Sequence, residues 1–575
     1  MASNDRKPFL TATVLDQDFL DTCHDNLVND LELIVDIQDP QGGTIHVSDR
    51  NKYVGGTYYA ARLQFPVITR TVGDFLSPQL EFSSITLELN NADGFFNEFL
   101  PAGADFDGWI GNTVVVKLGL RDVASTYKTI FSGRITEEGG FQRSIKSITF
   151  IARDDFDKLN QSFPKTILTD AFTDIEASKL NTVVPYIYGD WTVNVEPLLA
   201  SIPAIPVNGA DPDVNGDSSF STAVQLVISE NDNTYFDDTQ VYLRRGDNAW
   251  LIDSTDIVSI SAGKNSFSIT QGNTMTAITA DAVDEAFEYA SGDEFLVKVK
   301  GKDLGVYDDN IVEQARDILL TFTDAVSGDF ASNWNTFRDK ASPTVSAINT
   351  FKSRIWIQEP ADTLTYVLSL FEQVRLEVFL NRDQKLEILS NHLDDFVANP
   401  SFQIKNWDVV KDTFTPKLDE RNNFNRSKGQ FNGLPNRKGE LFQETPVFRA
   451  TAAIAQTGRE ISKRVLFPNL YDETVVINQV KEILRIAGGY IENVNVELTW
   501  RSMLLDIGDF VKLNVNIQGT VFENVPALIR QIGYDPQGIK IPMKLWSFQM
   551  LPFPGHSPGF PGITGGSSVS IDEEV

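Results

Sequence analysis

The sequence predicts an α+β, β-rich protein that is built from several domains, and three observations predict this class. The 575 residues exceed what a single hydrophobic core usually supports. Short segments in which apolar and polar residues alternate recur along most of the chain, which is typical of half-buried strands. Helical periodicity is confined to a few segments, among them those that follow Asp309, Asp362 and Asp472.

Composition narrows the class of function. Hydrophobic residues make up 42% and charged residues 22% of the chain, as in ordinary globular proteins. The formal net charge of −30 repels phosphate backbones, which argues against a protein that grips nucleic acid. The charge is compatible with a simple soluble surface, which is the plainer interpretation, or with a passage through which nucleic acid slides.

Cysteine content and the length of apolar runs indicate the cellular compartment in which the chain folds. Cys23 is the only cysteine, so an intrachain disulfide is ruled out and folding in a reducing cytoplasm is predicted. The first residues lack the basic-then-apolar layout of a signal peptide. No run approaches the roughly 18 apolar residues of a membrane helix, so we expect a soluble chain.

The segment from Asp472 to Leu513 predicts a helix followed by antiparallel strands. Asp472 is placed to cap the helix, apolar residues then recur at helical spacing, and Gly488-Gly489 ends it. Alternation from Val494 to Trp500 predicts a strand, and Ile507-Gly508-Asp509 predicts a turn before the next strand. This is a docking scaffold rather than a catalytic constellation.

A similar pattern near the N-terminus indicates an internal duplication. A Gly-Asn pair at Gly111 opens a strand, as the Gly-Asp pair at Gly508 does. Ile135 and Ile532, near the end of the next strand, each stand 24 residues after their glycine. A turn and a closing strand follow in both places. The alternative is a chance match of common turn-and-strand patterns.

We predict five regions. Residues 1–190 form a first β-domain, and the alternating segments Leu31–Ile37 and Ser83–Leu89 are strands in it. Residues 10–35 also look locally helical. The loop beyond the turn at residues 90–94 carries four aromatic residues, which fold back over a small core or anchor a partner. They are Phe95, Phe96, Phe99 and Trp109.

The remaining regions follow in order. Residues 191–305, rich in short strands and polar turns, predict an inserted all-β domain. Residues 306–470 predict capped helices, a hairpin from Arg375 to Leu389 and a long exposed basic loop at 421–438. Residues 471–552 form a second β-domain, and 553–575 a Pro/Gly-rich tail that is flexible or lies along a neighbouring chain. The candidate interface residues in the loop and tail are Arg421, Arg426, Lys428, Arg437, Phe553 and Phe560.

Candidate chemistry is sparse. Asp211, Asp213 and Asn215 have the spacing of calcium ligands, but the twelfth position is Thr222 instead of glutamate, which favours a solvated acidic turn. The four histidines are dispersed. Acidic pairs such as Asp154-Asp155 do not by themselves provide the carboxyl separation of a glycosidase. We therefore expect no catalytic site, no cofactor and no enzyme activity.

Taken together, the motifs resemble those of bacteriophage tail baseplate hub proteins of the T4-type hub-like family. The resemblance rests on their order along about half of the chain, since each is weak alone. The motifs are Phe131-Ser132-Gly133-Arg134-Ile135, Ile151-Ala152-Arg153-Asp154, Val184-Pro185 with Tyr188-Gly189-Asp190, the helix and hairpin at 361–389, and Ile507-Gly508-Asp509-Phe510-Val511.

This resemblance implies a structural protein of the virion that is assembled in the host cytoplasm. It implies a homotrimer in which each subunit supplies two tube-like β-barrel or sheet domains with packed helices, so that three copies match a hexameric tail tube. Implied partners are the tube protein, a central spike or fibre and other baseplate proteins, with DNA passing through an ejection channel without specific binding. The chain departs from the family in its large 191–305 block.

Two other classes stay open at this stage. One is a cell-wall or polysaccharide-degrading enzyme of the tail tip, which would need a carboxylate pair in an aromatic-lined cleft. The other is a carbohydrate-binding adhesin carried by the 191–305 block. Host, tail type and the role of that block do not follow from the sequence.

Overall fold

The structure is a computed structural model, and the statements below refer to the residues that it describes. These residues are 31–64, 68–71, 83–99, 108–120, 127–136, 141–144, 146–168, 179, 182–193, 202–207, 223–290, 292–339, 352–381, 384–392, 402–418, 424–435, 440–487, 490–499, 502, 505–517, 520–534, 540–549 and 571–573.

The N-terminal region is made of strands, as the alternating patterns predict. They are β1 (Leu31–Gln38), β2 (Thr44–Ser48), β3 (Lys52–Val54), β4 (Thr57–Ala61), β5 (Leu63–Gln64), β6 (Ile68–Thr71), β7 (Ser84–Asn90), β8 (Thr113–Leu120), β9 (Lys128–Ile135), β10 (Phe141–Arg143), β11 (Ser147–Arg153) and β12 (Ser162–Phe163). Of the predicted helical segment 10–35, residues 10–30 lie outside the described part of the chain.

The next region also consists of strands, with only short 3₁₀ turns between its described residues. They are β13 (Tyr186–Tyr188), β14 (Ile202–Val207), β15 (Ala223–Val227), β16 (Tyr235–Phe236), β17 (Val241–Arg245), β18 (Asn248–Ile252), β19 (Ile257–Ile260), β20 (Ser266–Thr270), β21 (Thr274–Ala277), β22 (Glu285–Ala286), β23 (Glu294–Val297) and β24 (Val299–Lys300).

The C-terminal half mixes strands with helices. The strands are β25 (Ile355–Ile357), β26 (Ala361–Asp362), β27 (Leu376–Leu380), β28 (Leu386–Ser390), β29 (Phe402–Lys405), β30 (Thr415–Leu418), β31 (Arg426–Leu434), β32 (Glu440–Glu444), β33 (Phe448–Ala450), β34 (Ser462–Phe467), β35 (Tyr490–Thr499), β36 (Phe510–Ile517), β37 (Thr520–Tyr534), β38 (Lys540–Gln549) and β39 (Ile571–Glu573). The helices are α1 (Ile311–Phe322), α2 (Asn333–Asp339), α3 (Thr363–Gln373), α4 (Thr451–Thr457) and α5 (Glu473–Ala487). The predicted β-rich class is confirmed.

Two groups of four antiparallel strands have the same order. In the first unit, β7, β8, β9 and β11, the order across the sheet is β7-β11-β9-β8. In the second unit, β35, β36, β37 and β38, it is β35-β38-β37-β36. Each unit therefore places its first and last strands side by side and its second strand at the opposite side.

Strand β6 joins the two units into one sheet. On one side β6 pairs with β7, and on the other it pairs with the end of β37 from Gln531 to Tyr534. One continuous hydrophobic core follows, because inward positions of both units pack together. These positions include Ile85, Leu87 and Leu89 of β7 and Val494, Val496 and Leu498 of β35.

The inserted region has its own core and a narrow neck. A nine-stranded sheet has the order β19-β20-β15-β14-β23-β17-β18-β21-β22. Its chain enters and leaves side by side, since the Trp191 N–H donates to the Val299 carbonyl at 2.9 Å and the Gly301 N–H to the Gly189 carbonyl at 2.9 Å. The Arg354 side chain, which is buried, lies 4.4 Å from the ring centre of Trp191 and 4.9 Å from that of Tyr471.

A further core combines helices with four small sheets, and α5 belongs to it; the sheets are β12–β26, β13–β25, β27–β28 and the one around β31. The order of helix and strands between Asp472 and Leu513 predicts that α5 packs on the small antiparallel sheet that follows it. Instead, most of its apolar face packs on β31, where a Cβ on Gly429 would lie 2.9 Å from methyl carbons of both Val476 and Val480. Only Ile486 of α5 joins the core of the two units. Glycine at 429 permits this close approach of strand and helix.

Two helix caps differ from the prediction and one agrees. Asp472 accepts backbone N–H bonds from Thr474 at 3.0 Å and Val475 at 3.3 Å, as predicted. Helix α1 is capped by Asn310, whose Oδ1 accepts from Val312 and Glu313, instead of by Asp309. Asp362 precedes α3 without a side-chain cap bond. For α1 the cap shifts by one residue to Asn310, because asparagine caps a helix as well as aspartate does.

The length and apolar content of the described helices decide whether any of them could cross a membrane. None of them is both long and apolar enough to cross a bilayer.

Candidate functional site

The joint between the two units is the candidate site, and two matching turns define it. In the first unit the Asn112 N–H donates to the Trp109 carbonyl at 3.2 Å, and in the second the Asp509 N–H donates to the Asp506 carbonyl at 3.2 Å. Both turns carry an Ile-Gly pair between these ends. They have a φ of +80° at Gly111 and +81° at Gly508, a conformation that strongly favours glycine.

Each turn is bonded to the same point of the neighbouring strand. The Gly111 N–H donates to the Ile135 carbonyl at 2.8 Å, and the Ile135 N–H donates to Asn112 at 3.0 Å. In the second unit the Gly508 and Ile529 pair has the same bonds, at 2.8 Å and 3.0 Å. The two units therefore share turn, strand order and hydrogen-bond pattern, as the predicted duplication requires.

The predicted equivalence of Ile135 with Ile532 is wrong by three residues. The structural counterpart of Ile135 is Ile529, because the loop between β8 and β9 is longer than the one between β36 and β37. In this register the side-by-side triplets are Ile85, Ala152 and Ile135 in the first unit and Val494, Leu545 and Ile529 in the second.

Buried ion pairs hold the joint. The Arg70 guanidinium, from β6, pairs with the Asp506 carboxylate of the second unit and donates to the Leu380 carbonyl at 2.6 Å. Arg530 of β37 donates to both carboxylate oxygens of Glu377 at 2.9 and 3.1 Å. All four charged side chains are at most 5% exposed. The hairpin of β27 and β28 is thereby tied to both units.

Burial shifts the ionisation of groups near this joint. It raises the pKa of Asp154 to about 6, although the Ser83 N–H donates to its Oδ2 at 2.8 Å. Burial likewise raises the pKa of Glu377, opposed by Arg530, and lowers the pKa of Arg375 to about 10. Such shifts also occur in structural ion-pair networks, and here the groups are enclosed by core residues.

The aromatic loop takes the first of the two roles that the sequence left open. Phe96 and Trp109 are both 0% exposed and pack in the core of the two units, so neither is available to a partner. Phe95 is half-buried beneath the Arg62 guanidinium, 4.3 Å from the ring centre. The side chain of Phe99 lies outside the described residues.

The predicted basic loop is wrong over most of its described residues. Residues Arg426–Leu434 form β31, which pairs with β32, β33 and β34. Its cations pair with acids of neighbouring segments, Lys428 with Glu444 and Arg426 with Glu460 at 2.9 Å. Every second residue of this strand points inward, namely Ser427, Gly429 and Phe431. This alternation predicts a strand, but the many polar residues of the segment make it hard to recognise. Arg421 and Arg437 lie outside the described residues.

The tail is described only at Ile571–Glu573, which forms β39. This strand pairs antiparallel with β33 of its own chain, contrary to a wholly flexible tail or one laid only on a neighbour. Phe553 and Phe560 lie outside the described residues.

Among the residues that the structure describes, the candidates for chemistry are not brought together. The calcium candidates Asp211, Asp213 and Asn215 fall outside the described residues. Within the described ranges, no group of three or more His, Cys, Asp or Glu side chains is placed to hold a metal ion. His46 Nδ1 lies 2.7 Å from Asp36 Oδ1, and His392 Nε2 lies 3.0 Å from the Val374 carbonyl.

Sequence reasoning missed the residues of the joint. Arg530 offered a signal, because it is a cation that directly follows the apolar residues Ala527 to Ile529 in a strand. A charge in such a run predicts a buried partner. Nothing local points from Arg70 to Asp506, since their pairing depends on the tertiary fold.

Comparison with known proteins gives remote structural likenesses. No family model matches the sequence, and no curated protein matches it. The chain is similar to a tail protein from Neisseria meningitidis MC58 (TM-score 0.39, 9% identity, covering 90% of this chain and 96% of that one). It is similar to a 43 kDa tail protein of prophage MuSo2 from Shewanella oneidensis (0.36, 10%, 90% and 98%).

A third likeness is to prophage tail protein gp18 from Listeria monocytogenes EGD-e (TM-score 0.24, 13% identity, covering 63% of this chain and 94% of that one). With TM-scores of 0.39 and lower, these likenesses do not define a family for the chain.

Proposed function

We propose that the protein is a structural hub of a bacteriophage tail, in which three copies form a ring of six related units. The ring closes the distal end of the tail tube, joins it to a central spike or fibre and surrounds part of the DNA ejection channel. The protein is a component of the virion, is assembled in the host cytoplasm and has no enzymatic role.

One observation carries the proposal: a single chain contains two units of the same strand order, joined edge to edge by β6. Two equivalent units in one subunit allow three subunits to present six equivalent positions. Closed rings with such symmetry are the common solution for soluble homo-oligomers. A threefold partner on one side and a sixfold partner on the other can then share one protein.

The buried ion pairs of the joint support the same role. Arg70, Asp506, Arg530 and Glu377 are buried charges, and removing one partner of such a pair strands the other without compensation. These pairs and the pairing of β6 on both sides constrain the angle between the two units within one chain. A fixed angle is what a ring of repeated units needs, because small errors in each step prevent closure.

Native mass spectrometry and electron microscopy of the purified full chain test the proposal. We expect a trimer with six similar lobes around a central opening. A monomer at micromolar concentration in the presence and absence of tail tube protein would refute it. The tail gives a second test: deletion of residues 553–575 should weaken association with a tail partner and, apart from the loss of strand β39, preserve the fold measured by circular dichroism.

A further inference from the structure

Two edge strands, β10 of the first unit and β30 beside the second, correspond to the two strands that pair with each other at the joint inside the chain. Strand β10 occupies in the first unit the place that the end of β37 occupies in the second. Phe141 of β10 pairs with Phe150, two residues before Ala152, and Ile532 of β37 pairs with Met543, two residues before Leu545. Since Ala152 and Leu545 are equivalent, Phe141 corresponds to Ile532.

Strand β30 likewise corresponds to β6. In the first unit β6 lies beside β7 with Ile68 opposite Ile85. In the second unit β30 lies beside β35 with Pro416 opposite Val494. Ile85 and Val494 are equivalent positions, and both added strands run antiparallel to their neighbours. Pro416 therefore corresponds to Ile68 and Lys417 to Thr69.

Inside the chain the two corresponding segments pair with each other. Arg70 stands opposite Ile532, Thr69 opposite Gly533 and Ile68 opposite Tyr534. Strands β10 and β30 are each paired on one side only within the described part of the chain, β10 with β11 and β30 with β35. The second edge of each is a row of backbone groups suited to strand addition.

We propose that β30 of one subunit pairs antiparallel with β10 of the next, so that the joint between subunits repeats the joint within the chain. The register transfers directly: Pro416 opposite Arg143, Lys417 opposite Gln142 and Leu418 opposite Phe141. The occupant of each edge is a second copy of this chain. This inference rests on the proposed ring and names the contact that closes it.

The hydrogen-bond directions of β10 fit this pairing. The Ser144 N–H donates to the Ser147 carbonyl at 2.8 Å, which closes the hairpin of β10 and β11. Backbone groups alternate along an antiparallel strand, so those of Gln142 point to β11 and those of Phe141 and Arg143 point to the open edge. Two residues of β10 thus offer donors and acceptors to an incoming strand.

The composition of β30 fits an edge position with a defined partner. Pro416 has no N–H, and proline in sheets is confined to edge strands and similar places. In the transferred register Pro416 accepts from the Arg143 N–H and returns no bond, so the contact is weaker than the joint within the chain. Lys417 and Gln142 are exposed in the single chain, which leaves both positions open to a partner.

A heterologous contact of this kind closes a ring when its rotation matches that of the internal joint. Three internal joints and three contacts between subunits then alternate around six units. The two strands belong to opposite units of the chain, β30 to the second and β10 to the first, as head-to-tail assembly requires.

Disulfide trapping tests the register. Lys417 and Gln142 would form a non-hydrogen-bonded pair, the type with the closest Cα atoms and therefore suited to a disulfide. The variant K417C/Q142C should form covalent trimers under mild oxidation. The matched control is T415C/Q142C, since Thr415 lies on the same face of β30, two residues out of register. We expect at least tenfold less covalent product from this control.

The single variants K417C and Q142C serve as controls, because any disulfide that they form involves either Cys23, the one native cysteine, or the same position of another subunit. Native mass spectrometry of the unmodified chain is run in parallel. A trimer without preferential cross-linking of K417C/Q142C would overturn the proposed contact and leave the proposed ring standing. A monomer with no cross-linking would overturn both. Equal yields from the paired variant and its control would also refute the register.

Discussion

Arg70 and Asp506 form a buried ion pair across 436 positions of sequence, and this pair connects the two units at their joint. Arg70 lies on β6, the strand that the units share, and Asp506 begins the turn of the second unit. The Asp506 Oδ1 atom also accepts the Ile507 N–H at 2.8 Å. The ion pair therefore links the shared strand to the same turn that sets the register of β36.

Loss of this pair should destabilise the protein strongly. The variant R70M leaves the buried carboxylate of Asp506 without its cation, and we expect a loss of about 3–5 kcal/mol in the free energy of unfolding. The matched control is K540M, which removes a half-exposed pair with Glu497 on the second unit and should cost about 0–1 kcal/mol. Denaturant titration measures both. Equal effects of the two substitutions would show that the joint does not depend on Arg70.

Asp154 should make stability depend on pH in a defined direction. Its pKa of about 6 in the folded chain lies above the ordinary value, so the folded state holds the proton more tightly than the unfolded state. Its contribution is therefore present at pH 4 and is lost as the pH rises through about 6. Relative to D154N, the wild type should lose up to about 3 kcal/mol of unfolding free energy between pH 4 and pH 7.

Parallel denaturation curves of wild type and D154N across this range check the sign. The difference between the two proteins isolates Asp154 from other groups that titrate nearby. A difference that stays flat from pH 4 to pH 7 would contradict the burial of this carboxyl.

The two turn glycines should respond alike to substitution. Alanine at a φ near +80° is strained, so G111A and G508A should each cost about 1–2 kcal/mol. G508A should cost more, because its Cβ would lie 3.2 Å from Phe379 Cζ, whereas open space surrounds position 111. Thermal or denaturant unfolding measures both effects. G328A, at a position with open space and no left-handed φ, is the control that should be nearly neutral.

Arg354 should fix the neck of the inserted region. Its side chain lies between the rings of Trp191 and Tyr471 and donates to the Val193 carbonyl at 2.8 Å. In R354M the amides of the neck should exchange with deuterium roughly tenfold faster, because local opening becomes easier. Hydrogen-exchange mass spectrometry measures this.

The control for this experiment is R338M. Arg338 also lies on an aromatic ring, that of Tyr307 at 4.4 Å, but its contact is near the surface. R338M should leave exchange at the neck unchanged. Unchanged exchange in R354M as well would mean that the paired backbone alone holds the neck.

Local periodicity was sufficient to predict the units but not their joint. The alternation around Val494 and the Ile-Gly-Asx turns at Gly111 and Gly508 fixed strands and turns, because these depend on neighbouring residues. The equivalence of Ile135 and Ile532 failed since loop lengths differ while the hydrogen-bond register is kept. The abundance of polar residues from Arg426 to Leu434 predicts a loop, whereas their side chains bond to residues of β32 and β34, which composition does not reveal.

The buried charges illustrate the same limit. Arg70, Asp506 and Glu377 sit in segments that look like ordinary strand edges and turns in sequence. Their pairing partners depend on which segments meet in space, and strand β6 brings together parts of the chain that are hundreds of residues apart. The face of α5 was correctly recognised as apolar, yet its partner, β31, was not predictable because several apolar sheet faces compete for one helix.

The neck of the inserted region has an engineering consequence. Because a 2.9 Å backbone hydrogen bond joins residues 191 and 299, the chain of the intervening block leaves and re-enters the body at one point. A short glycine-serine bridge in its place needs to span only one strand spacing, and the replacement must also cover Leu168, Val184 and Ile187, which pack against the block. Reporter domains or affinity tags could be grafted there while the strand register of the remaining body is kept.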